Sequence, residues 1–201
     1  MSTLSEEELA YFRDFFSPEA DATDNSLAIH SLNVAAEIPE VLANILGNAK
    51  LTVLAEISYY RLSFPLTIKQ DDLGQFSPAL GIPEVIDLRG GERSWRLHNA
   101  KNIKVIENDT ANDVEVLSLS SSGITIKMPQ ELKSKVPHLT QLILPNGIHI
   151  DMEFEPVRTE NGVVAAKISA EGESGELLRQ FLFSEHKAKY SHLYKKINPL
   201  P

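Results

Sequence analysis

Cysteine is absent from this chain of 201 residues. Its absence excludes disulfide bonds, thiolate zinc sites and a cysteine nucleophile. Long apolar runs are missing too, since none approaches the roughly 20 residues that a membrane-spanning helix needs. The N-terminal sequence MSTLSEEELAYFRDFF is acidic, whereas a secretory signal is basic and then apolar. We therefore expect a cytoplasmic protein with no membrane span.

Basic residues are also scarce, with 19 Lys and Arg against 28 Asp and Glu and a net charge of −9. Residues 1–88 contain 4 basic and 14 acidic residues, a net charge of −10, whereas residues 89–201 contain 15 and 14, a net charge of +1. The change coincides with the segment LRGGER, whose Gly-Gly pair is typical of a linker. The sequence therefore predicts a helix and tether over 1–26, a first module over 27–88 and a second module over 89–201.

An amphipathic helix is predicted at the N-terminus, where Ser5 and Glu8 fit a capping box and apolar side chains recur on one side. Its aromatic residues are Tyr11, Phe12, Phe15 and Phe16. We favour the interpretation that they cover the protein's own sheet. The alternative is that they dock on a partner protein or on the second subunit of a homodimer.

The rest of the sequence predicts mainly β structure. Strand-like segments are 51–57, 62–68, 103–107, 114–119, 124–128, 139–144, 148–157 and 163–168. Turn residues at Pro145–Gly147 and Asn161-Gly162 predict hairpins. A short helix is expected over 39–47, and a C-terminal helix from about Glu176 with Ser174 as its cap. The second module therefore reads as a small antiparallel barrel or sandwich followed by a helix.

Two polar clusters are candidates for catalysis. One strand face carries the row His149, Asp151, Glu153 and Glu155. The opposite face is apolar and has to be buried, so the acidic row is expected to be the solvated face. The Ser118–Ser122 run lacks a Gly-x-Ser-x-Gly pattern and has no histidine near it in sequence. We therefore expect no enzyme, no metal and no cofactor, and the alternative is a small hydrolase or metal-dependent enzyme that uses one of these clusters.

An arginine-bearing loop is the remaining constellation. Arg93 and Arg96 flank Trp95 at the predicted junction, and the small polar segment 118–123 ends a strand further along the chain. Guanidinium groups bind phosphates bidentately and stack on bases, and a glycine such as Gly123 lets a ligand approach the backbone. The pattern suits an anionic, planar ligand. On spacing alone we favour the alternative, in which the arginines pair with the acidic first module and Trp95 fills the contact between modules.

The segments ERSWRL, 92–97, and SLSSSG, 118–123, resemble the two motifs of the PilZ domain family in its two-module, flagellar-brake form. The resemblance covers about 27–194. It implies an N-terminal split β-barrel-like module with a short helix, followed by an antiparallel PilZ-like β-barrel and a C-terminal helix. It also implies cyclic di-GMP as the ligand, bound through an Arg-x-x-x-Arg stretch and an Asp/Asn-x-Ser-x-x-Gly stretch.

Carried over residue by residue, the resemblance is incomplete. Arg96 matches the last arginine of the first motif, whereas Glu92 stands where the first arginine is expected. In the second motif Ser118 replaces the acid or amide. The ligand-binding residues that the resemblance implies are Arg93, Arg96, Ser118, Ser120 and Gly123. Arg89 and Trp95 are less favoured candidates. Arg89 and Arg93 form an alternative Arg-x-x-x-Arg frame.

The expected function is that of a non-enzymatic PilZ-family signalling protein, an effector or adaptor in motility, pilus or biofilm control. Its expected partner is a protein of the flagellar, pilus or biofilm machinery. No nucleic-acid polymer is expected as a partner. Two lost charge-assisted hydrogen bonds cost about 1.5 to 3 kcal/mol each. That loss corresponds to on the order of 100- to 10,000-fold in affinity, so cyclic di-GMP binding is expected to be weak or absent.

Overall fold

A computed structural model describes residues 30–31, 49, 51–70, 76–107, 110–112, 114–128 and 139–195. These residues are mainly β, in antiparallel sheets, with a helix near the C-terminus, which confirms the predicted fold class. The predicted helices over 5–16 and 39–47 lie outside the described residues. Within the described part of the chain, no helix combines the length and the apolar character that crossing a membrane requires.

The elements in chain order are β1 (His30–Ser31), β2 (Leu51–Ile57), β3 (Tyr60–Gln70), β4 (Phe76–Leu80), β5 (Glu84–Asp87), β6 (Arg93–Ser94), β7 (Leu97–His98), β8 (Lys104–Glu107), β9 (Thr110–Asn112), β10 (Glu115–Ser120), β11 (Gly123–Lys127), β12 (Leu139–Ile143), β13 (His149–Asp151), β14 (Glu153–Glu160), β15 (Val163–Ser169), α1 (Gly172–Lys189) and α2 (Ser191–Lys195).

The contacts divide the described chain between Pro83 and Glu84. The first unit holds the described residues up to Pro83 together with those from His186 onwards, and the second unit is Glu84–Glu185. The sequence instead predicted a boundary at Arg89. The difference has a local cause, because β5 pairs with β6 across the Gly-Gly segment, with Asp87 opposite Arg93. Both glycines of that segment have positive φ, at 74° and 123°, so LRGGER forms the turn of a hairpin within the second unit.

The first unit contains a sheet in which β3 pairs with β2 and β4, and β4 pairs with β1. Alternate residues of β3, namely Tyr60, Leu62 and Phe64, are 2%, 0% and 2% exposed and form the core of this unit. This period-two burial is what the alternating sequence predicted.

The C-terminal part of the first unit adds an aromatic cluster. His186 is 1% exposed, and its Nδ1 lies 2.7 Å from the Tyr194 hydroxyl oxygen. The rings of Tyr60 and Tyr190 lie 4.4 and 4.6 Å from the His186 ring, measured between centroids. Burial, and to a lesser extent the nearby Tyr60, raises the pKa of Tyr194 above its ordinary value. The cluster therefore holds a neutral tyrosine hydroxyl against a buried imidazole.

The second unit contains a sheet of five strands in the order β14-β15-β11-β10-β7 and a sheet of four strands in the order β13-β12-β8-β9. Among the described strands, no ladder of hydrogen bonds joins these two sheets. The predicted hairpins are present, one between β12 and β13 and one between β14 and β15. The fully buried side chains of the two sheets include Val105, Leu119, Ile124, Ile126, Leu142 and Ile150.

Helix α1 begins earlier than predicted, at Gly172 rather than near Glu176. The proposed cap has another partner, because the Ser174 hydroxyl accepts a hydrogen bond from the backbone N–H of Asp151 at 3.1 Å. Gly175 permits a close approach here, since a Cβ at this position would lie 2.4 Å from the carbonyl oxygen of Ala170. The start of the helix is therefore set by contacts with β13 and with the preceding loop.

Replacing Tyr194 with Phe tests the aromatic cluster. The variant leaves the buried His186 without its 2.7 Å hydroxyl contact, so we expect the free energy of unfolding to fall by about 1 to 3 kcal/mol. Tyr59→Phe is the matched control, because Tyr59 is 63% exposed; its effect should stay within about 0.5 kcal/mol. Equal unfolding free energies of the two variants in urea titrations would show that the His186–Tyr194 contact contributes nothing.

Candidate functional site

Arg96 is the centre of the candidate site. It lies between β6 and β7, and its half-buried side chain extends over one face of the five-stranded sheet. Its Nη1 donates hydrogen bonds to the hydroxyls of Ser118, at 3.0 Å, and Thr125, at 3.2 Å. Ser118 on β10 and Thr125 on β11 are directly opposite each other, so their side chains share a face. The structure thus brings together Arg96 and Ser118, two of the residues that the resemblance implies, and adds Thr125.

Thr125 was not found by sequence reasoning, although the sequence contains a signal for it. The turn of β10 and β11 consists of Ser121 and Ser122 alone, with Ser120 opposite Gly123. Counting outward from that turn places Thr125 directly opposite Ser118, because the register shift in β10 comes only beyond Ser118, between Val116 and Ser118. The register of β10 and β11 therefore places side by side the two hydroxyls that accept hydrogen bonds from Arg96.

Gly123 provides the space in which the guanidinium lies. A Cβ at Gly123 would be 2.9 Å from Arg96 Nη2 and 3.3 Å from the carbonyl oxygen of Ala166. The backbone of Gly123 is not in the left-handed region, so the requirement for glycine is one of space and not of φ. Ser120 is 1% exposed, and its hydroxyl donates to the carbonyl oxygen of Gly123 at 3.1 Å, which closes the turn beneath Arg96.

The charge of Arg96 has no carboxylate partner in the described part of the chain. The ion pairs there are Arg61–Glu56, Arg89–Asp87, Lys127–Glu115 and Lys167–Glu155. Burial lowers the pKa of the Arg96 guanidinium below its ordinary value, although an arginine remains charged. A partly desolvated cation that is bonded only to neutral hydroxyls is costly, and an anion at its free edge would offset that cost. The arrangement can therefore receive an anionic group.

The structure does not gather the other predicted arginines around Ser118. Arg89 is held by Asp87, which accepts from its Nε at 2.9 Å and from its Nη2 at 2.7 Å. Arg93 is exposed on β6, opposite Asp87. Trp95 is 4% exposed, and its backbone N–H donates to the carbonyl oxygen of Val85 at 2.7 Å. Of the predicted residues, Arg96, Ser118, Ser120 and Gly123 lie together.

Glu84 fixes the loop that carries Arg96. Its Oε1 accepts hydrogen bonds from the hydroxyls of Ser94 and Ser121, both at 2.6 Å. The hydroxyl oxygens of Ser94 and Ser122 lie 3.3 Å apart. One carboxylate therefore ties the β5–β6 hairpin to the β10–β11 turn. No local sequence signal pointed to Glu84, because its partners are distant in the chain.

The clusters considered for catalysis are placed as follows. Ser118 accepts from Arg96, Ser120 donates to a backbone carbonyl and Ser121 donates to Glu84. His98 lies opposite Ser118 on β7, and neither residue is hydrogen bonded to the other in the described structure.

In the acidic row, Asp151 and His149 are exposed and face Gln141, whose side chain lies 2.5 Å from Asp151 Oδ1 and 3.4 Å from His149 Nδ1. Over the described ranges, no three acidic or histidine side chains are grouped as for a metal ion.

No family model and no curated protein matches the chain. Among solved structures, it is similar to an uncharacterized protein of Legionella whose crystal structure is known. The two are 17% identical, the match covers 47% of this chain and 97% of that chain, and the TM-score is 0.38. A functional proposal therefore depends on the geometry of the site itself.

Replacing Gly123 with Ala tests the close approach of Arg96. The added methyl group should displace the guanidinium from Ser118 and Thr125, because only 2.9 Å separates its position from Nη2. We expect the free energy of unfolding to fall by about 1 to 2 kcal/mol. The control is Gly81→Ala, where the nearest atoms lie at 3.5 Å and space is sufficient. A Gly123→Ala variant as stable as Gly81→Ala, with an unshifted Arg96 Nε–H resonance, would contradict this geometry.

Proposed function

We propose that this chain is a non-enzymatic, PilZ-like signalling protein, an effector or adaptor of cyclic di-GMP signalling in motility, pilus or biofilm control, whose own affinity for cyclic di-GMP is weak or lost. The observation that carries the proposal is the Arg96 guanidinium, which lies over Gly123 and against Ser118 without a carboxylate partner in the described residues. An arginine from a loop over a Ser-x-x-Gly turn is the arrangement expected of a PilZ-like site.

The free edge of Arg96 gives the site its anion chemistry. Nη1 is engaged by two hydroxyls, whereas Nε and Nη2 make no hydrogen bond to any described residue. A phosphodiester has two unesterified oxygens, and a guanidinium presents parallel N–H groups that match them. A phosphate of cyclic di-GMP would accept from this edge while the hydroxyls of Ser118 and Thr125 hold the guanidinium in place.

The remaining ligand contacts are depleted, which argues for weak binding. Arg89 is engaged by Asp87, and Arg93 lies on β6 opposite Asp87, with no described hydrogen bond to the residues around Arg96. Glu92 stands where a second arginine would contact the ligand, and its carboxylate repels a dianion. Ser118 has no charge, and its hydroxyl already accepts from Arg96. Two missing charge-assisted contacts cost about 3 to 6 kcal/mol in total.

The Glu84 contacts favour an adaptor that works without a tightly bound ligand. Ser94 and Ser121 are both bonded to Glu84 at 2.6 Å, so the loop bearing Arg96 is held in place by the chain itself. A nucleotide is then not required to order this loop. The output of such an adaptor depends on a protein partner in the flagellar, pilus or biofilm machinery, and cyclic di-GMP modulates that contact weakly.

The test is calorimetric titration of the full chain with cyclic di-GMP, with Trp95 fluorescence as a second readout. We expect a Kd above about 1 μM, and loss of any residual binding in Arg96→Gln. Arg89→Gln is the matched control because it removes the same charge from a side chain engaged by Asp87; its affinity should stay within about twofold of the wild type. The variant Glu92→Arg, which replaces a repelling carboxylate with a cation, should bind more tightly than the wild type.

Two results would contradict the proposal. Submicromolar affinity of the wild type would show that the missing contacts are replaced by others. Measurable wild-type binding that Arg96→Gln and Arg89→Gln weaken to the same extent would show that the ligand does not use Arg96.

A further inference from the structure

A second arginine lies on the same face of the five-stranded sheet as the candidate site. Thr125 on β11 is opposite Ala165 on β15, and Ala165 is opposite Arg158 on β14. Directly opposed residues of antiparallel strands project to one face, so the row from Ser118 to Arg158 is continuous. Arg158 is two strands away from Thr125, or about 10 Å at the usual spacing between strands.

A cavity of about 280 Å³ occupies the interval between Thr125 and Arg158. Its lining residues are Thr125, Arg158, Glu160, Asn161, Val163 and Ala165. Val163 and Ala165 supply apolar surface, and Arg158 supplies a cation beside it. The hydroxyl of Thr125 is the one to which Arg96 donates, so the cavity adjoins the candidate site. Arg158 therefore lines this cavity, and Arg96 is hydrogen bonded to another of its lining residues.

The charges on this sheet single out the two arginines. Lys127 lies 3.4 Å from a carboxylate oxygen of Glu115, and Lys167 lies 3.9 Å from one of Glu155. Neither Arg96 nor Arg158 takes part in an ion pair with any residue that the structure describes. Among the described lysine and arginine residues on or over this sheet, Arg96 and Arg158 are thus the two without a carboxylate at ion-pair distance.

We propose that the cavity beside Arg158 is a base subsite, which receives the ring of a nucleoside phosphate whose phosphate is bound by Arg96. This inference rests on the proposed function, because it needs Arg96 as the phosphate anchor. A planar guanidinium stacks on aromatic rings as well as binding anions, so Arg158 covers one face of the base while Ala165 and Val163 contact its other surface. The sugar lies over Thr125, between the two subsites.

The experiment compares three ligands with the full-length chain: guanosine 5′-monophosphate, ribose 5-phosphate, which lacks the base, and inorganic phosphate. Affinities are measured by calorimetry, and the arginine Nε–H resonances by NMR. The wild type should bind the nucleotide about tenfold more tightly than ribose 5-phosphate. Arg158→Ala should lower the nucleotide affinity to that of ribose 5-phosphate and leave the affinity for ribose 5-phosphate unchanged. Lys167→Ala, which removes a charge from the same sheet, should preserve the tenfold ratio.

The contrary results distinguish the two proposals. Equal wild-type affinities for the nucleotide and ribose 5-phosphate, or an Arg158→Ala variant that weakens both alike, would overturn the base subsite while leaving the phosphate site intact. An Arg96 resonance that none of the three ligands shifts would overturn the phosphate site, and the base subsite with it.

Discussion

The position of the Arg96 guanidinium is the constraint on which the rest of the candidate site depends. Hydroxyls from two neighbouring strands hold one of its nitrogens, and the absence of a side chain at Gly123 leaves room for another. Burying part of a cation against neutral groups costs free energy that an ion pair would offset. Groups whose pKa is shifted by burial cluster at functional sites, and this supports a binding role for Arg96.

Both the sheet and the Glu84 contacts hold this arginine in position. On one side, the two-residue turn sets Ser118 opposite Thr125, and a slip of one residue would send one of these hydroxyls to the other face. On the other side, the Glu84 carboxylate ties Ser94 to the turn. The site is thus encoded by register and by one carboxylate, more than by the arginine motif itself. This explains how a site can keep its shape while most of the expected ligand contacts are missing.

The strands and hairpins could be predicted because period-two burial and turn residues are local properties of the sequence. What could not be predicted depends on partners far away in the chain. Ser174 has the sequence context of a helix cap, yet it bonds to Asp151. The segment LRGGER has the composition of a linker but forms a hairpin turn. Because glycine is typical of both, the composition alone could not distinguish them. Arg158 carries no motif, and only pairing across three strands places it beside the cavity that Thr125 also lines.

The most direct measurement is the Nε–H resonance of Arg96 during a titration with inorganic phosphate at constant ionic strength. Arg89 provides an internal reference, because Asp87 already accepts from its Nε and Nη2. If the half-buried Arg96 guanidinium binds phosphate, we expect a saturable shift of the Arg96 resonance and little change at Arg89. An Arg96 resonance that does not move, or that moves only as much as that of Arg89, would contradict the claim that this arginine is kept for an anionic ligand.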